Sequence, residues 1–271
     1  MQDDRNPPDV RFGQALMRAR KRAGKQQAVV ARHLGCTPGH LSHIENGRRK
    51  LDESKLQELD DFLNAGKRLL RQHEEIYQPE RVDWLGEFHQ MQADAAVIRE
   101  YQNSLFPGTV QHPEYAKIAI TSGAPWLASN EVQERIKDRQ RWHEDVLRDD
   151  GPQYHLVLDD IVIMRPIGPA AVMRKQLDTI IKHAESGRVM VQMHGWDQHP
   201  HAGLDGPFAL ITSSSAPDMV HVESIYGGQN TDVPQDVRNF GTLFSRLQAT
   251  ARSPLESLRF LKEMREKYAQ Q

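Results

Sequence analysis

The densest chemical signal in this sequence is positive charge. Between Val10 and Lys50 stand ten lysines and arginines against a single acid, Glu45. The nine residues before carry −2 and everything after Lys50 carries −9, so the overall formal charge of −2 conceals one strongly cationic end. Such a concentration suits a polyanionic partner whose phosphates are neutralised by side-chain cations. A second group of reactive side chains lies far downstream. His194, His199 and His201 fall within eight residues, with Asp197 and Asp205 beside them. Imidazoles at that density can ligate a transition metal, but nothing here has the fixed helical spacing of a His-Glu-x-x-His site. The expectation is therefore surface histidines and no metal. Ser213-Ser214-Ser215 has no nucleophile elbow around it, and Gly227-Gly228 lacks the Lys-Ser/Thr that follows in a phosphate loop. Both read as turns, and neither an enzyme nor a cofactor is expected. The lone Cys36 excludes an intrachain disulfide and a thiolate metal cage.

The cationic segment must be held by elements that its apolar spacing reveals. Phe12, Leu16 and Ala19 recur at helical intervals, giving a first helix over Val10–Ala23 that Gly24 closes. A second runs from Gln26 or Gln27 to Leu34 and stops at Gly35. Thr37 caps a third, with Pro38 at the favoured first position and Leu41 and Ile44 inward, ending at Asn46-Gly47. Counted from Gln27, Ala31 is fifth, Gly35 ninth, Leu41 fifteenth and Ile44 eighteenth. Those are a small residue where two helices touch, a glycine in the turn and two apolar locks: the requirements of a helix-turn-helix. A further helix spans Ser54–Leu63, and a connecting helix spans Leu69–Gln78, terminated by Pro79.

The third helix would enter a DNA major groove, presenting Thr37, Pro38, Gly39, His40, Ser42 and His43. Arg48, Arg49 and Lys50 in the following loop would grip backbone phosphates, which add affinity without sequence information. Pro38 and Gly39 have no side-chain donor, so base reading falls to His40, His43 and the hydroxyls, with DNA shape contributing.

Gln27, Leu41-Ser42-His43-Ile44-Glu45 and Gly47-Arg48-Arg49 resemble the corresponding elements of Xre-family, phage-repressor-like heads across about Val10–Asn64. The resemblance implies that Gln27 holds a phosphate and braces the third helix. It also implies that Glu45 turns inward to an arginine of the first helix, Arg18 or Arg20.

Beyond the head, helices are expected over Val97–Thr121, Glu131–Leu147, Ala170–Ala184, Val233–Ala249 and Leu255–Tyr268. Strands are expected at Tyr154–Leu158, Val189–Met193, Phe208–Thr212 and Met219–Glu223, with a loop from Trp196 to Gly206. The fold class is α+β: an all-α, lambda-repressor-like helix-turn-helix head, then a mixed α+β C-terminal domain. The division reads as a disordered tail at 1–9, the head at 10–66, a linker helix at 67–79 and an effector, partner-binding and dimerisation domain at 80–271.

The run Leu105-Phe106-Pro107-Gly108-Thr109-Val110-Gln111-His112-Pro113-Glu114-Tyr115 resembles a Pro-Gly-Leu-Leu-Gln-Thr-like signature in actinobacterial WhiJ-type regulators. Arg135, Arg139 and Gln140, then Arg165-Pro166-x-Gly168, Gln176-Leu177 and His201-x-Gly203-x-x-Gly206-Pro207-Phe208, follow in the same order. The resemblance implies a developmental regulator, commonly paired with a small companion protein encoded next door. The bend at Pro107-Gly108 gathers Leu105, Phe106, Val110 and Tyr115. It reads either as a packed junction or as a groove where an effector or companion docks, with Gln111, His112, Arg135 and Arg139 as polar anchors. The overall expectation is a homodimeric, operator-binding repressor; the alternative is an antitoxin-like protein that neutralises a small partner and autoregulates. No apolar run approaches the roughly 18 residues of a membrane span, and the polar start lacks a secretion signal's apolar core. A cytoplasmic, nucleoid-associated location follows.

Overall fold

The computed structural model describes residues 6–77, 84–214, 216–224 and 227–270, and the chain divides into two compact units at Asp83/Trp84. The first unit is all helical: α1 (Pro7–Arg22), α2 (Gln27–His33), α3 (Pro38–Glu45), α4 (Leu56–Phe62) and α5 (Arg68–Tyr77). Phe12, Leu16, Val30, Ala31, Leu41, Ile44 and Leu59 fill one core. α1 begins three residues before the expected start. Proline suits the first helical turn, where its missing N–H costs nothing, and Asn6 Nδ2 donates to Asp9 at 3.2 Å. The expected disordered tail is thus corrected at residues 7–9; residues 1–5 lie outside those described. The expected linker helix is likewise corrected. Leu69 of α5 is buried in the head core, and Tyr77 donates its hydroxyl to Asp9 Oδ1 at 2.6 Å. α5 is part of the head; positions 78 and 79 lie outside the described residues.

The second unit carries a six-stranded mixed sheet in the order β3-β2-β1-β4-β5-β6. Its strands are β1 (Val97–Gln102), β2 (Gln153–Asp159), β3 (Val189–His194), β4 (Phe208–Thr212), β5 (Met219–Ser224) and β6 (Gly227–Thr231). β1, β2 and β3 are parallel, and β4, β5 and β6 add antiparallel pairings. The helices are α6 (Trp84–Ala93), α7 (Pro113–Gly123), α8 (Ser129–Leu147), α9 (Ile161–Met164), α10 (Ala170–Glu185), α11 (Pro234–Thr250) and α12 (Pro254–Ala269). One sheet face packs Ile98, Leu156, Leu158, Val191 and Met193 against Met173, Leu177 and Leu261 of α10 and α12. The other face packs Tyr101, Val157, Phe208, Leu210 and Val220 against Phe244 and Leu247 of α11. This bears out the mixed α+β reading.

The helix expected at Val97–Thr121 is corrected to β1, a 3-10 turn at Gly108–Val110, and α7. Arg99 and Glu100 make the start of that segment look helical, but the strand buries their heads with partners distant in sequence. Arg99 Nη2 donates to Thr212 Oγ1 at 3.1 Å, and Tyr154 donates to Glu100 Oε2 at 2.5 Å. Gly227-Gly228 is not a turn but the start of β6, paired with β5. Of the serine run, position 215 lies outside the described residues. α6 and α9 were not foreseen.

Candidate nucleic-acid interface

The helix-turn-helix is assembled by α2, a short turn and α3. Gly35 turns the chain with φ 69°, a left-handed conformation that costs a glycine little. Thr37 caps α3, its hydroxyl oxygen accepting from His40 N–H at 3.1 Å, so its hydroxyl proton and one lone pair remain for a further contact. Gly47 ends α3 with φ 69°, and a Cβ there would stand 2.5 Å from Val10 Cα. Both conformation and space demand glycine at that position.

The angle of α3 is fixed by a buried ion cluster. Glu45 is 2% exposed. Arg20 of α1 donates to it through Nε at 2.5 Å and Nη2 at 3.0 Å, and Gln27 of α2 donates at 2.8 Å. Of the two arginines that sequence left open, Arg20 is the partner. Three helices therefore meet at one carboxylate, and Gln27 braces α3 as expected. Thr37, Pro38, Gly39, His43, Arg48 and Arg49 are exposed, while His40 and Ser42 are half-buried at their side. Lys50 is exposed too, but its Nζ lies 5.0 Å from the Tyr77 ring centroid, a cation–π contact that tethers it to α5.

The downstream segment at Leu105–Tyr115 behaves differently. Phe106, Pro107, Gln111 and Tyr115 are buried, and Leu105 packs against the main core. Gln111 Nε2 donates to the Phe106 carbonyl at 2.6 Å, and Arg139 Nη1 donates to Gln111 Oε1 at 2.5 Å. Burial pushes the Arg139 guanidinium down to about 10. His112 caps α7 through Nδ1, and its N–H donates to Gln176 Oε1 at 2.7 Å. Gln176 returns a bond to the Val110 carbonyl at 2.9 Å. The docking groove is therefore corrected: Phe106, Gln111, Tyr115 and Arg139 knit a packed junction. Of the proposed anchors only Arg135 stands exposed.

Above that junction Glu100, 3% exposed, accepts from Tyr154 and from Gln102 Nε2 at 2.8 Å. Burial pushes its carboxyl up to about 7, against the pull of those two bonds. With Phe88, Gln102, Phe208, His221 and Glu223 it lines a cavity of about 10 Å³, room for about one water and not for a ligand.

The histidine loop is also split by the fold. His194 ends β3 and is fully buried; His201 reaches back to donate to Asp159 Oδ2 at 2.8 Å. His199 takes no part in this group. Asp159, 35 residues before His194, was not expected beside the histidines.

A helix-turn-helix domain model matches residues 11–73, and the model of a domain of unknown function, DUF5753, matches residues 85–263, about two thirds of the chain. The chain belongs to the DUF5753 family. No curated protein and no solved structure matches it. The DUF5753 match covers the whole six-stranded sheet and α7 to α11. The helix-turn-helix match extends through most of α5, in agreement with the packing of Leu69 into the head. Among the described residues no helix is long and apolar enough to cross a membrane.

Proposed function

We propose that this protein is a transcriptional regulator that binds operator DNA through α3 and its flanking loop. The observation that carries this reading is the pairing of a rigid base with an open face. The Arg20–Glu45–Gln27 cluster clamps α3 from behind, while His43, Arg48 and Arg49 point to solvent. Arg48 and Arg49 grip phosphates, and His40, Ser42 and His43 contact base edges. One recognition helix reads few bases, so a homodimer on two half-sites one helical turn apart supplies the affinity. The DUF5753 domain supplies the pairing surface and the response to a ligand or companion protein, and repression follows from occupying the operator.

Selection of bound fragments from random DNA, with the full chain, identifies the site; the expected result is a two-fold repeat. The affinity for that site is then measured against salt. About 4 to 8 phosphate contacts per dimer give a steep log–log slope, and a slope shallower than about −2 means the cationic head is not the binding surface.

A further inference from the structure

Three side chains distant in sequence converge at the carboxyl ends of parallel strands, where open α/β sheets gather their ligands. Asp159 ends β2 and His194 ends β3, side by side in register, and His201 folds back from the following loop. One ligand-capable atom of each lies within 4.8 Å of those of the other two. Asp159 and His194 are buried, and the His201 side chain is 12% exposed.

We propose that the DUF5753 domain binds one divalent transition-metal ion of the zinc class through Asp159, His194 and His201. Two imidazoles and one carboxylate suit zinc and its first-row neighbours rather than calcium or magnesium, which take all-oxygen sets. Three protein ligands leave a further position open, bordered by the Tyr101 hydroxyl, 3.4 Å from His201 Nε2. The neighbouring carboxylate is not available: Asp160 is held by Arg252 through two bonds of 2.6 and 2.9 Å.

The surroundings of two ligands already suit an ion. Asp159 Oδ1 accepts from Ile161 N–H at 3.0 Å, leaving Oδ2 directed at His201. His194 Nδ1 lies 3.2 Å from the Gly195 carbonyl and Nε2 lies 2.9 Å from Thr250 Oγ1. The tautomer that satisfies both donates from Nδ1 and accepts at Nε2. An imidazole whose far N–H rests on a carbonyl is the supported form of a metal ligand. The Thr250 hydroxyl also lies 3.0 Å from the Arg246 carbonyl, so it keeps an acceptor when Nε2 turns its lone pair to a metal.

His201 must change. Its Nδ1 accepts from Gly203 N–H at 2.9 Å, which keeps the ring proton of the neutral form on Nε2, pointing at Asp159. That proton stands where the ion would. On binding, it leaves Nε2 and a proton takes Nδ1, so the ring stays neutral, and the Gly203 amide must release that nitrogen. The adjustment falls on the irregular stretch after β3, where no sheet bonds are lost.

The test uses the full, untagged chain stripped of metal, titrated with Co²⁺ and with Zn²⁺ by calorimetry and visible absorption, with no DNA present, so its outcome is independent of operator binding. The expected result is one ion per chain and the d–d absorption of cobalt with nitrogen and oxygen ligands. His201→Ala and Asp159→Asn should each weaken binding by about 100-fold or more, exceeding the loss on disturbing only a ligand's support. His199→Ala, two residues from His201 but outside the cluster, should leave it unchanged. Should Asp159→Asn fail to fold, His201→Ala, on the loop, decides alone after its thermal midpoint is matched to the parent. Uptake no tighter than about 1 mM, or equal binding by His201→Ala, overturns the proposal.

Discussion

The head buries Glu45 and the DUF5753 domain buries Glu100, at 2% and 3% exposure, yet the two carboxylates live in opposite surroundings. Glu45 meets a guanidinium from α1 and an amide from α2. The cost of taking a charge out of water is offset by an opposite charge held in a two-bond fork. Glu100 has only neutral donors, a phenol and an amide. Burial therefore moves its carboxyl up to about 7, because a lone charge in low dielectric sheds itself by binding a proton. The head thus uses a buried charge to set a helix angle. The DUF5753 domain keeps a buried group that titrates.

Substitutions can break this contrast. The largest effect is expected for Glu45→Ala, which leaves the half-buried Arg20 and Gln27 without their shared carboxylate and should cost roughly 3 kcal/mol. Thermal unfolding with calorimetry should show the head's transition falling, and DNA binding lost with it. A head as stable as before would mean that the cluster does not hold α3.

Next in size is the pH dependence of the DUF5753 domain. The folded value of Glu100 lies above its ordinary 4.5, so the folded state holds the extra proton between about pH 4.5 and 7. Its contribution to stability is greatest below that window and is lost as pH rises through it, by up to about 3 kcal/mol. His89, pushed down to about 3 by burial, works the other way and removes stability as pH falls below 6.5. Glu100→Gln should isolate the first effect, because the histidines contribute alike to both chains: in denaturant unfolding, the stability of the variant relative to the parent should rise between pH 5 and 8. An unchanged profile would mean that Glu100 is charged when folded.

A smaller effect is expected in the Pro107-Gly108 junction. Gln111→Ala removes bonds to Phe106 and Arg139 and should cost about 1 to 3 kcal/mol, lowering the DUF5753 transition and leaving the head's untouched. If stability holds while a response to a companion protein vanishes, the junction is a docking site after all. The smallest change in stability belongs to Arg48→Ala and Arg49→Ala, within about 0.5 kcal/mol. Their effect should appear instead as weaker binding to all DNA sequences alike and a shallower salt slope. Loss at one base position only would assign them to base reading.

The head was legible because what specifies it is local. Ala31, Gly35, Thr37, Pro38, Leu41 and Ile44 lie within 14 residues, and helix spacing, a cap and a turn glycine act over the same few positions. Even the Arg20–Glu45 pair spans only 25 residues, two helices away. Composition could not choose between Arg18 and Arg20, since only the angle between α1 and α3 decides which guanidinium reaches inward. In the second domain the helices α8, α10, α11 and α12 and the strands β2 to β5 were likewise readable from their apolar periods. β1 was not. Its Arg99 and Glu100 look like a helix's polar face until β2, 56 residues away in register, and β4, 109 and 111 residues away, make them part of a central strand. The same distance hid the carboxylate beside the histidines. Sequence showed His194, His199 and His201 as one cluster because they are neighbours along the chain. Parallel pairing of β2 with β3 put Asp159 next to His194, and the return of the loop brought His201 and left His199 out. Residue spacing along the chain decides what a helix can present; which side chains meet across a sheet is decided only by strand order and register.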